Sequence, residues 1–192
     1  MKGATVFFDL ETGGLRPEAP TIQIAAVAVL EWRQLDSFEV KIRFDEAAAD
    51  PEALALNHYD PEVWRRDAVL VDEALATFAD FLRLYPDIDK VSARGRPYRV
   101  ARLAGHNVAA FDAPRLVDAF KRRGLFLPAD AFRPLDTLQL ALWRLCGSPS
   151  QPSSYKLGAL CEHLGIATEG AHDALADVRM CVELARALAE GR

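Results

Sequence analysis

The sequence predicts an α/β fold in which a mixed five-stranded sheet is flanked by helices. Apolar residues at strand spacing open the chain, and the hydrophobic period changes to that of a helix from Val71 onward. Shorter strand-like and helix-like segments follow, as expected for a sheet with helices against its faces. The chain has 192 residues, of which 51% are hydrophobic, and can bury one substantial core. We therefore expect residues 1–192 to form a single domain.

Three strands are predicted at the start of the chain. Residues 4–10 form a short apolar run, and residues 21–30 are almost continuously apolar, which is typical of interior strands. Over residues 37–44 apolar and polar side chains alternate, which indicates one packed face and one face toward water. These segments supply the first part of the sheet.

Helices and short strands are predicted in the rest of the chain. Residues 71–84 place their apolar side chains on one helical stripe. A helix opens near Asp112, with Pro114 in its first turn. The remaining strands are expected near residues 102–106 and 132–135, and the remaining helices over residues 136–145, 155–164 and 174–189.

Carboxylates occupy unusual positions in this pattern. Asp9 and Glu11 share one face of the first strand, where two like charges repel each other and lose hydration. Asp177 falls within the apolar arc of the last helix, and Asp112 stands at a helix start. Each has an ordinary alternative: a surface pair, a salt bridge for Asp177, or an N-cap for Asp112. Taken together they favour a site for hard divalent ions such as Mg²⁺ or Mn²⁺, which prefer oxygen ligands.

Basic residues are concentrated in one segment of an acidic chain. The net charge of -5 argues against a protein that coats nucleic acid by charge alone. Residues 90–102 nevertheless carry five of the 23 basic residues and none of the 28 acidic ones. Two interpretations of a basic insertion loop at about 86–101 stay open: it holds a nucleic-acid strand beside the acidic site, or it is a solvated loop without a ligand.

Three motifs link these carboxylates. They are "FFDLETGGL", with Asp9 and Glu11, "GHNVAAFD", with Asp112, and "HDALADV", with His172 and Asp177. In order and spacing they resemble the motifs of the DEDDh 3'-to-5' exonucleases, which include the proofreading subunit of bacterial DNA polymerase III and ribonuclease T. A histidine five residues before the last aspartate is typical of the histidine branch of that family.

The resemblance implies a ribonuclease H-like fold and phosphodiester hydrolysis with two Mg²⁺ or Mn²⁺ ions. Asp9, Glu11, Asp112 and Asp177 would be the metal carboxylates, and His172 would be the general base that takes a proton from the attacking water. The expected reaction releases nucleoside 5'-monophosphates from the 3' end of single-stranded DNA, as in proofreading or repair.

Substrate contacts are implied as well. Thr12 and Leu15 would hold and wedge the terminal nucleotides, and His58 would line the same pocket. Asn107, also counted among the substrate-binding residues, would orient the end of its β-strand and the start of the next helix. Gly13 departs from the family, which often has a second threonine there. Three arginines of the basic loop are our own predicted contacts to the strand: Arg94, Arg96 and Arg99.

Other functions stay open at this stage. The same machinery could trim RNA, because no residue pattern reads out the 2'-hydroxyl. A non-catalytic module could instead bind nucleic-acid ends or a polymerase. The expected partners are a single-stranded 3' end, with DNA favoured over RNA, and a polymerase or repair protein. Because no apolar run approaches the roughly 20 residues of a membrane span, we expect no membrane contact and a cytoplasmic location.

One short string suggests a different partner. "QLALW", residues 139–143, resembles a sliding-clamp-binding peptide, which has to be exposed in order to bind. The string falls within an expected amphipathic helix that needs Leu140 and Trp143 for packing. We therefore predict that it belongs to the core.

Overall fold

The computed structural model describes residues 3–168 and 173–191, in which six strands form one mixed sheet with helices against both faces. The strands are β1 (Thr5–Thr12), β2 (Thr21–Leu30), β3 (Arg33–Lys41), β4 (Pro86–Val91), β5 (Pro97–Gly105) and β6 (Ala129–Asp136). The helices are α1 (Pro51–Leu56), α2 (Pro61–Asp67), α3 (Val71–Arg83), α4 (Asp112–Arg122), α5 (Thr137–Leu145), α6 (Leu157–His163) and α7 (Ala174–Glu190). None of the helices in these residues is long and apolar enough to cross a membrane.

Strand β1 lies in the middle of the sheet. It pairs antiparallel with β2 and parallel with β5, and β3 extends the sheet beyond β2. Strand β5 also pairs antiparallel with β4 and parallel with β6. Because β1, β5 and β6 run in the same direction, their carboxyl ends meet at one edge of the sheet. Ligands of α/β proteins usually bind at such an edge.

The side chains of β1 alternate between two cores. Phe8 and Leu10 pack with helices α3 and α4 on one face, and Phe7 packs with α7 on the other. By the same alternation Asp9 and Glu11 lie on the face that α7 covers. The strand therefore directs both carboxylates toward the last helix.

The predicted α/β class is confirmed, with one strand more than expected. The bounds of β2 are as predicted, and those of α3, α5 and α7 differ from the prediction by at most one residue.

The additional strand, β4, lies in the segment that we predicted to be a basic loop at 86–101. That segment is a β-hairpin of β4 and β5, in which Lys90 and Tyr98 are cross-strand partners. Every residue of β4 is at least partly exposed, so no buried apolar face marks this strand in the sequence.

Helices α1 and α2 begin at Asp-Pro pairs. Asp50 accepts a hydrogen bond from Glu52 N at 3.0 Å, and Asp60 accepts one from Glu62 N at 2.8 Å. In both helices proline occupies the first turn. Both features are typical of helix N-termini, so the sequence contained a signal for these helices that our element prediction did not use.

Helix α5 exposes a residue that we expected in the core. Trp143 is 84% exposed, whereas Leu140 packs against the cluster that contains Leu160 and Leu184. The prediction that "QLALW" is core is therefore wrong for Trp143, because α5 packs through its other face.

Candidate active site

Strand β1 delivers Asp9 and Glu11 to the sheet edge where the parallel strands end. The two residues stand opposite Ala25 and Gln23 of β2. The register between these strands shifts between Glu11 and Thr12. The regular ladder is thus interrupted directly after the two carboxylates, which line a cleft.

Helix α4 supplies Asp112, which is buried with 3% exposure. Its Oδ1 accepts a hydrogen bond from Leu10 N at 3.1 Å. Phe111, not Asp112, is the N-cap of α4. The N-cap alternative for Asp112 therefore does not hold, and its carboxylate ties the helix start to β1.

Helix α7 supplies Asp177 in its first turn. Asp173 is the N-cap, and its side chain accepts a hydrogen bond from the backbone of the first turn at 3.0 Å. Val178 and Cys181 pack in the core on this face of the sheet. This packing fixes the rotation of α7 and brings Asp177 to the cleft that the other three carboxylates line.

The four carboxylates line one cleft of about 600 Å³. Helix α1 and its N-cap add Asp50 and Glu52, so six acidic residues contribute to the wall. Among the described residues that line this cleft there is no lysine or arginine. Such a wall repels a nucleic-acid phosphate unless cations enter the cleft with it.

Burial and mutual repulsion raise the pKa values of the cleft carboxyls. The pKa of Asp9 rises from 3.8 to about 6, through burial and then the charge of Asp177, although a hydrogen bond with Glu11 lowers it. The pKa of Glu11 rises from 4.5 to about 8, through burial and then the charges of Asp9 and Asp177. Burial, and then the charge of Asp9, raise the pKa of Asp112 well above its usual value. The ion-free cleft thus retains protons that a bound cation would displace.

The donor set fits a hard divalent ion. Its members are carboxylates, the oxygen ligands that Mg²⁺ and Mn²⁺ prefer. Among residues 3–168 and 173–191, however, no three His, Cys, Asp or Glu side chains are already gathered around one point. The repulsion that raises their pKa values also favours separation of the carboxylates. We therefore expect the side chains to move together when an ion binds.

The raised pKa values predict how the stability of the ion-free protein depends on pH. Unfolded Glu11 releases its proton near pH 4.5, whereas folded Glu11 keeps it to about pH 8. The folded state binds more protons between these values, so its stability falls as pH rises from about 4.5 to 8. Thermal unfolding in EDTA should show a falling Tm over this range, by about 2–4 °C for each kcal/mol lost. Mg²⁺ should restore most of the loss at pH 8, and a Tm that stays level or rises in EDTA would contradict the prediction.

The loop after β1 forms one rim of the cleft. Thr12 Oγ1 donates a hydrogen bond to Gly14 O at 2.8 Å, and Asn57 Nδ2 donates one to Thr12 O at 2.9 Å. Leu15 follows with 84% of its surface exposed and lines the cleft together with Thr12. An apolar side chain held at the rim in this way can contact the base or sugar of a terminal nucleotide.

Gly13 allows this loop to lie against the start of α1. Its carbonyl accepts a hydrogen bond from Asp50 N at 2.6 Å, and its N–H donates one to Pro20 O at 2.7 Å. A Cβ on Gly13 would lie 2.7 Å from the Ala49 Cβ, closer than side chains approach. The absence of a second threonine at this position therefore has a packing reason.

Of two further predicted substrate-binding residues, Asn107 lines the cleft and His58 does not. Asn107 lines the cleft, and its backbone N–H donates to Asp136 Oδ1 at 3.0 Å. His58 follows the C-cap of α1 with a φ of 49° and is not among the residues that line the cleft. The preceding residue, Asn57, is among them, and sequence reasoning did not select it.

The histidine that lines the cleft within the described residues is His106. Its Nε2 lies 3.0 Å from Tyr155 O, and its Nδ1 lies 2.9 Å from Thr137 Oγ1. Since a carbonyl only accepts, Nε2 carries the proton. Burial lowers the pKa of His106, and through these two contacts the ring joins α5 to the segment before α6. His172, the predicted general base, lies outside the residues that the structure describes.

Arg115 is a cleft-shaping residue that sequence reasoning missed. Its Nη2 donates to Leu15 O at 2.7 Å, and its Nη1 donates to Phe111 O at 3.2 Å. The guanidinium also lies 3.6 Å from the centroid of the Phe111 ring, which lines the cleft. Arg115 thus fixes the Leu15 loop to the same helix turn that carries Asp112.

Replacing Arg115 with alanine should loosen the Leu15 loop and weaken the grip on a strand end. We expect KM for a trinucleotide to rise several-fold with a smaller change in kcat, because no carboxylate is lost. Lysine should rescue only part of the effect, because it lacks the planar fork that reaches two carbonyls and stacks on a ring. Steady-state kinetics should be compared with those of Arg122→Ala, an exposed arginine on the same helix that pairs with Asp118. An unchanged KM in Arg115→Ala would contradict this role.

The predicted basic segment lies far from the carboxylates. Strand β5 runs from the hairpin turn to the cleft edge, and its nine residues span about 30 Å. Arg94 and Arg96 lie at the turn, and Arg99 forms an ion pair with Asp89 at 3.1 Å. The structure does not bring these three arginines to the cleft, and none of them is among the residues that line it.

The fold and the carboxylate cleft define a ribonuclease H-like architecture of the kind found in exonucleases. A model of the exonuclease family matches residues 96–185. The resemblance to 3'-to-5' exonucleases that the motifs predict is thereby confirmed. None of the curated proteins matches the sequence significantly.

Solved structures of exonuclease I share this fold. A product-bound structure of exonuclease I has a TM-score of 0.77 and 18% identity, covering 100% of this chain and 44% of that one. A second exonuclease I structure has a TM-score of 0.76 and 19% identity, covering 99% and 41%. Escherichia coli exonuclease I in complex with a dT13 oligonucleotide has a TM-score of 0.73 and 19% identity, covering 96% and 40%. This chain thus spans about two fifths of the length of these structures. This chain is thus similar to the exonuclease family over residues 96–185 and shares the fold of exonuclease I.

Proposed function

We propose that this chain is a single-domain, metal-dependent 3'-to-5' exonuclease that releases nucleoside 5'-monophosphates from single-stranded DNA. The observation that carries the proposal is the cleft at the carboxyl ends of β1 and β5, with six acidic residues and no lysine or arginine among its described lining. A phosphodiester substrate needs cations to enter it, and the carboxylates are suited to hold them. The exonuclease family model supports the same reaction class.

Four residues would hold two Mg²⁺ or Mn²⁺ ions: Asp9, Glu11, Asp112 and Asp177. When bound, such ions activate water and neutralise charge that develops on the phosphate. The charges of Asp9 and Asp177 raise the pKa of Glu11, and the charge of Asp177 raises the pKa of Asp9. The ionisation of each of these three carboxylates therefore depends on the others. A zinc-bound complex of E. coli exonuclease I with single-stranded DNA shows that a protein of this fold takes a divalent ion.

The chain's own side chains bind and orient the strand end. Leu15 lies exposed at the rim, where it packs on the terminal nucleotide, and Thr12 and Asn107 offer polar groups beside it. His172 takes the proton from the attacking water, a role that rests on its motif. His106 does not compete for this role, because both of its ring nitrogens already have partners.

DNA is favoured over RNA as the substrate. The structures that share this fold include E. coli exonuclease I with dT13 and dA16 oligonucleotides. Another structure of this fold is a complex of exonuclease I with the C-terminus of SSB, which concerns a protein partner and not a DNA substrate. We extend both observations to this chain as a single-stranded DNA substrate and a partner from replication or repair.

Substrate choice and polarity can be tested on matched strands. Single-stranded DNA, RNA of the same sequence and a recessed duplex, each labelled at the 5' end, should be incubated with the protein and Mg²⁺ or Mn²⁺. We expect a ladder of shortening 5'-labelled products, fastest on single-stranded DNA. Faster loss of RNA would assign the chain to RNA trimming. Binding of all strands without cleavage would identify a non-catalytic module.

A further inference from the structure

An apolar surface, termed here the aromatic patch, extends from the β4–β5 hairpin to β6. It consists of Tyr98, Leu125, Phe126 and Phe132, which are 38%, 39%, 58% and 85% exposed. The rings of Tyr98 and Phe126 meet at an angle of 67°, with centroids 6.0 Å apart. Leu125 and Phe132 border a groove of about 410 Å³ between α4 and β6. Exposed clusters of this kind usually mark a binding surface.

Positive charge surrounds the aromatic patch. Arg96 at the hairpin turn and Lys121 in the wall of the groove form no ion pair with any described residue. Lys90 and Arg133 both pair with Asp130, at 2.8 and 3.1 Å, so one carboxylate faces two cations there. The surface therefore combines aromatic rings with unneutralised cations, unlike the acidic remainder of the chain.

Strand β6 connects the aromatic patch to the carboxylate cleft. Within the described residues it pairs only with β5 and is thus an edge of the sheet. Its register shifts so that residues 131–134 have no partner on β5, and Phe132 lies exposed within this unpaired stretch. Leu135, further along, is also exposed, and Asp136 at the end accepts a hydrogen bond from Asn107 at the cleft rim. The exposed side chains of Phe132, Arg133 and Leu135 thus lie on the edge strand beside the half of β5 that leads to the cleft.

We propose that the aromatic patch and the β6 edge bind the upstream part of a single-stranded nucleic acid whose 3' end lies in the carboxylate cleft. Bases would stack on Phe126 and Phe132, and phosphates would lie beside Arg96 and Lys121. Aromatic rings and cations arranged along a line suit single strands, because every base has a stacking face and every linkage a charge. The inference rests on the proposed function for the position of the 3' end. At a stacked spacing of about 3.4 Å, a strand that spans about 30 Å has roughly nine nucleotides.

The test compares how a variant with three exposed residues replaced binds and cleaves a short and a long strand. The patch variant carries Arg96→Gln, Lys121→Gln and Phe132→Ala. A matched control removes two charges and one apolar side chain elsewhere, with Arg33→Gln, Leu35→Ala and Arg65→Gln. Arg33 and Leu35 lie on β3, the strand at the opposite edge of the sheet. Binding of fluorescein-labelled oligo-dT of 4 and 20 nucleotides should be measured by anisotropy in EDTA, where cleavage is blocked, at several salt concentrations. Cleavage of the 4-mer in Mg²⁺ is the second readout, and equal Tm values verify folding.

The expected pattern is a loss confined to the long strand. The patch variant should bind the 20-mer roughly tenfold more weakly, and the slope of log K against log salt should fall by about 1.4 for two lost phosphate contacts. The 4-mer should be cleaved at the wild-type rate, and the control should match wild type throughout. Unchanged binding of the 20-mer, or an equal loss of 4-mer cleavage, would overturn the proposal. The proposal would also be overturned if the patch variant binds the 20-mer like wild type but has lost another interaction. That interaction could be self-association, measured by sedimentation, or binding of an acidic phenylalanine-rich peptide. If the wild type cleaves nothing, the proposed function fails, and the EDTA measurements still decide whether the patch binds strands.

Discussion

Replacing Asp9 with alanine should abolish turnover while the protein remains folded. The charge of Asp9 acts on Glu11 and Asp112, and the charge of Asp177 acts on Asp9, so all four carboxylates are linked through Asp9. An ion held by these side chains would lose one of its proposed ligands. We expect the rate to fall by more than the roughly 10²–10³-fold that one polar stabilising group contributes in other enzymes. Single-turnover cleavage of a labelled single strand at saturating Mg²⁺ measures the loss.

The same substitution should stabilise the ion-free protein at neutral pH. The pKa values of Glu11 and Asp112 are raised first by their own burial and then by the charge of Asp9, which this substitution removes. The Tm in EDTA should therefore rise, and its fall with pH should become shallower. Glu73→Ala, an exposed carboxylate of α3 outside the cleft, is the matched control and should change neither activity nor Tm by much. Wild-type activity in Asp9→Ala would refute the assignment of the site.

Replacing His172 with alanine should slow the chemical step without weakening binding. As a general base His172 holds no ion, so the affinity for Mg²⁺ and for the strand should stay near wild type. The rate should fall by about 10²- to 10⁴-fold. The wild-type rate should rise with pH through the ionisation of the imidazole, near pH 6.5, because only the neutral ring accepts a proton.

The variant should lose that rise with pH. Single-turnover rates and strand affinities should be compared for wild type, His172→Ala and His163→Ala across acid to mildly alkaline pH. His163 ends α6, does not line the cleft and provides the matched control. If His172→Ala cleaves as fast as wild type, the resemblance to the histidine branch fails at its most specific residue.

Local patterns were enough to predict how the carboxylates are placed. The alternation of β1 puts Asp9 and Glu11 on one face, and the apolar arc of α7 turns Asp177 toward that face. Both follow from periodicity, which depends on neighbouring residues only. The same reasoning failed for β4, whose residues have no buried face, and for Trp143, because α5 packs with its other side.

Long-range contacts account for the parts of the site that were missed. Arg115 acts through Leu15, 100 residues away in the sequence, and no local pattern marks that contact. The placement of Arg94 and Arg96 depends on the direction of β5, which follows from its parallel pairing with β1. Asp50 is a different case, because its N-cap and proline signature could have predicted that α1 starts there, although not that α1 lies beside the cleft.

The central claim is that the carboxylate cleft makes this chain an ion-dependent exonuclease. The most direct measurement is the release of nucleoside 5'-monophosphates from a 5'-labelled single-stranded DNA by the purified protein, as Mg²⁺ or Mn²⁺ is titrated from zero. We predict no release in EDTA, and a saturable rise with ion concentration in which the strand shortens from its 3' end. Equal cleavage in EDTA, or no cleavage at any concentration of either ion, would contradict the account.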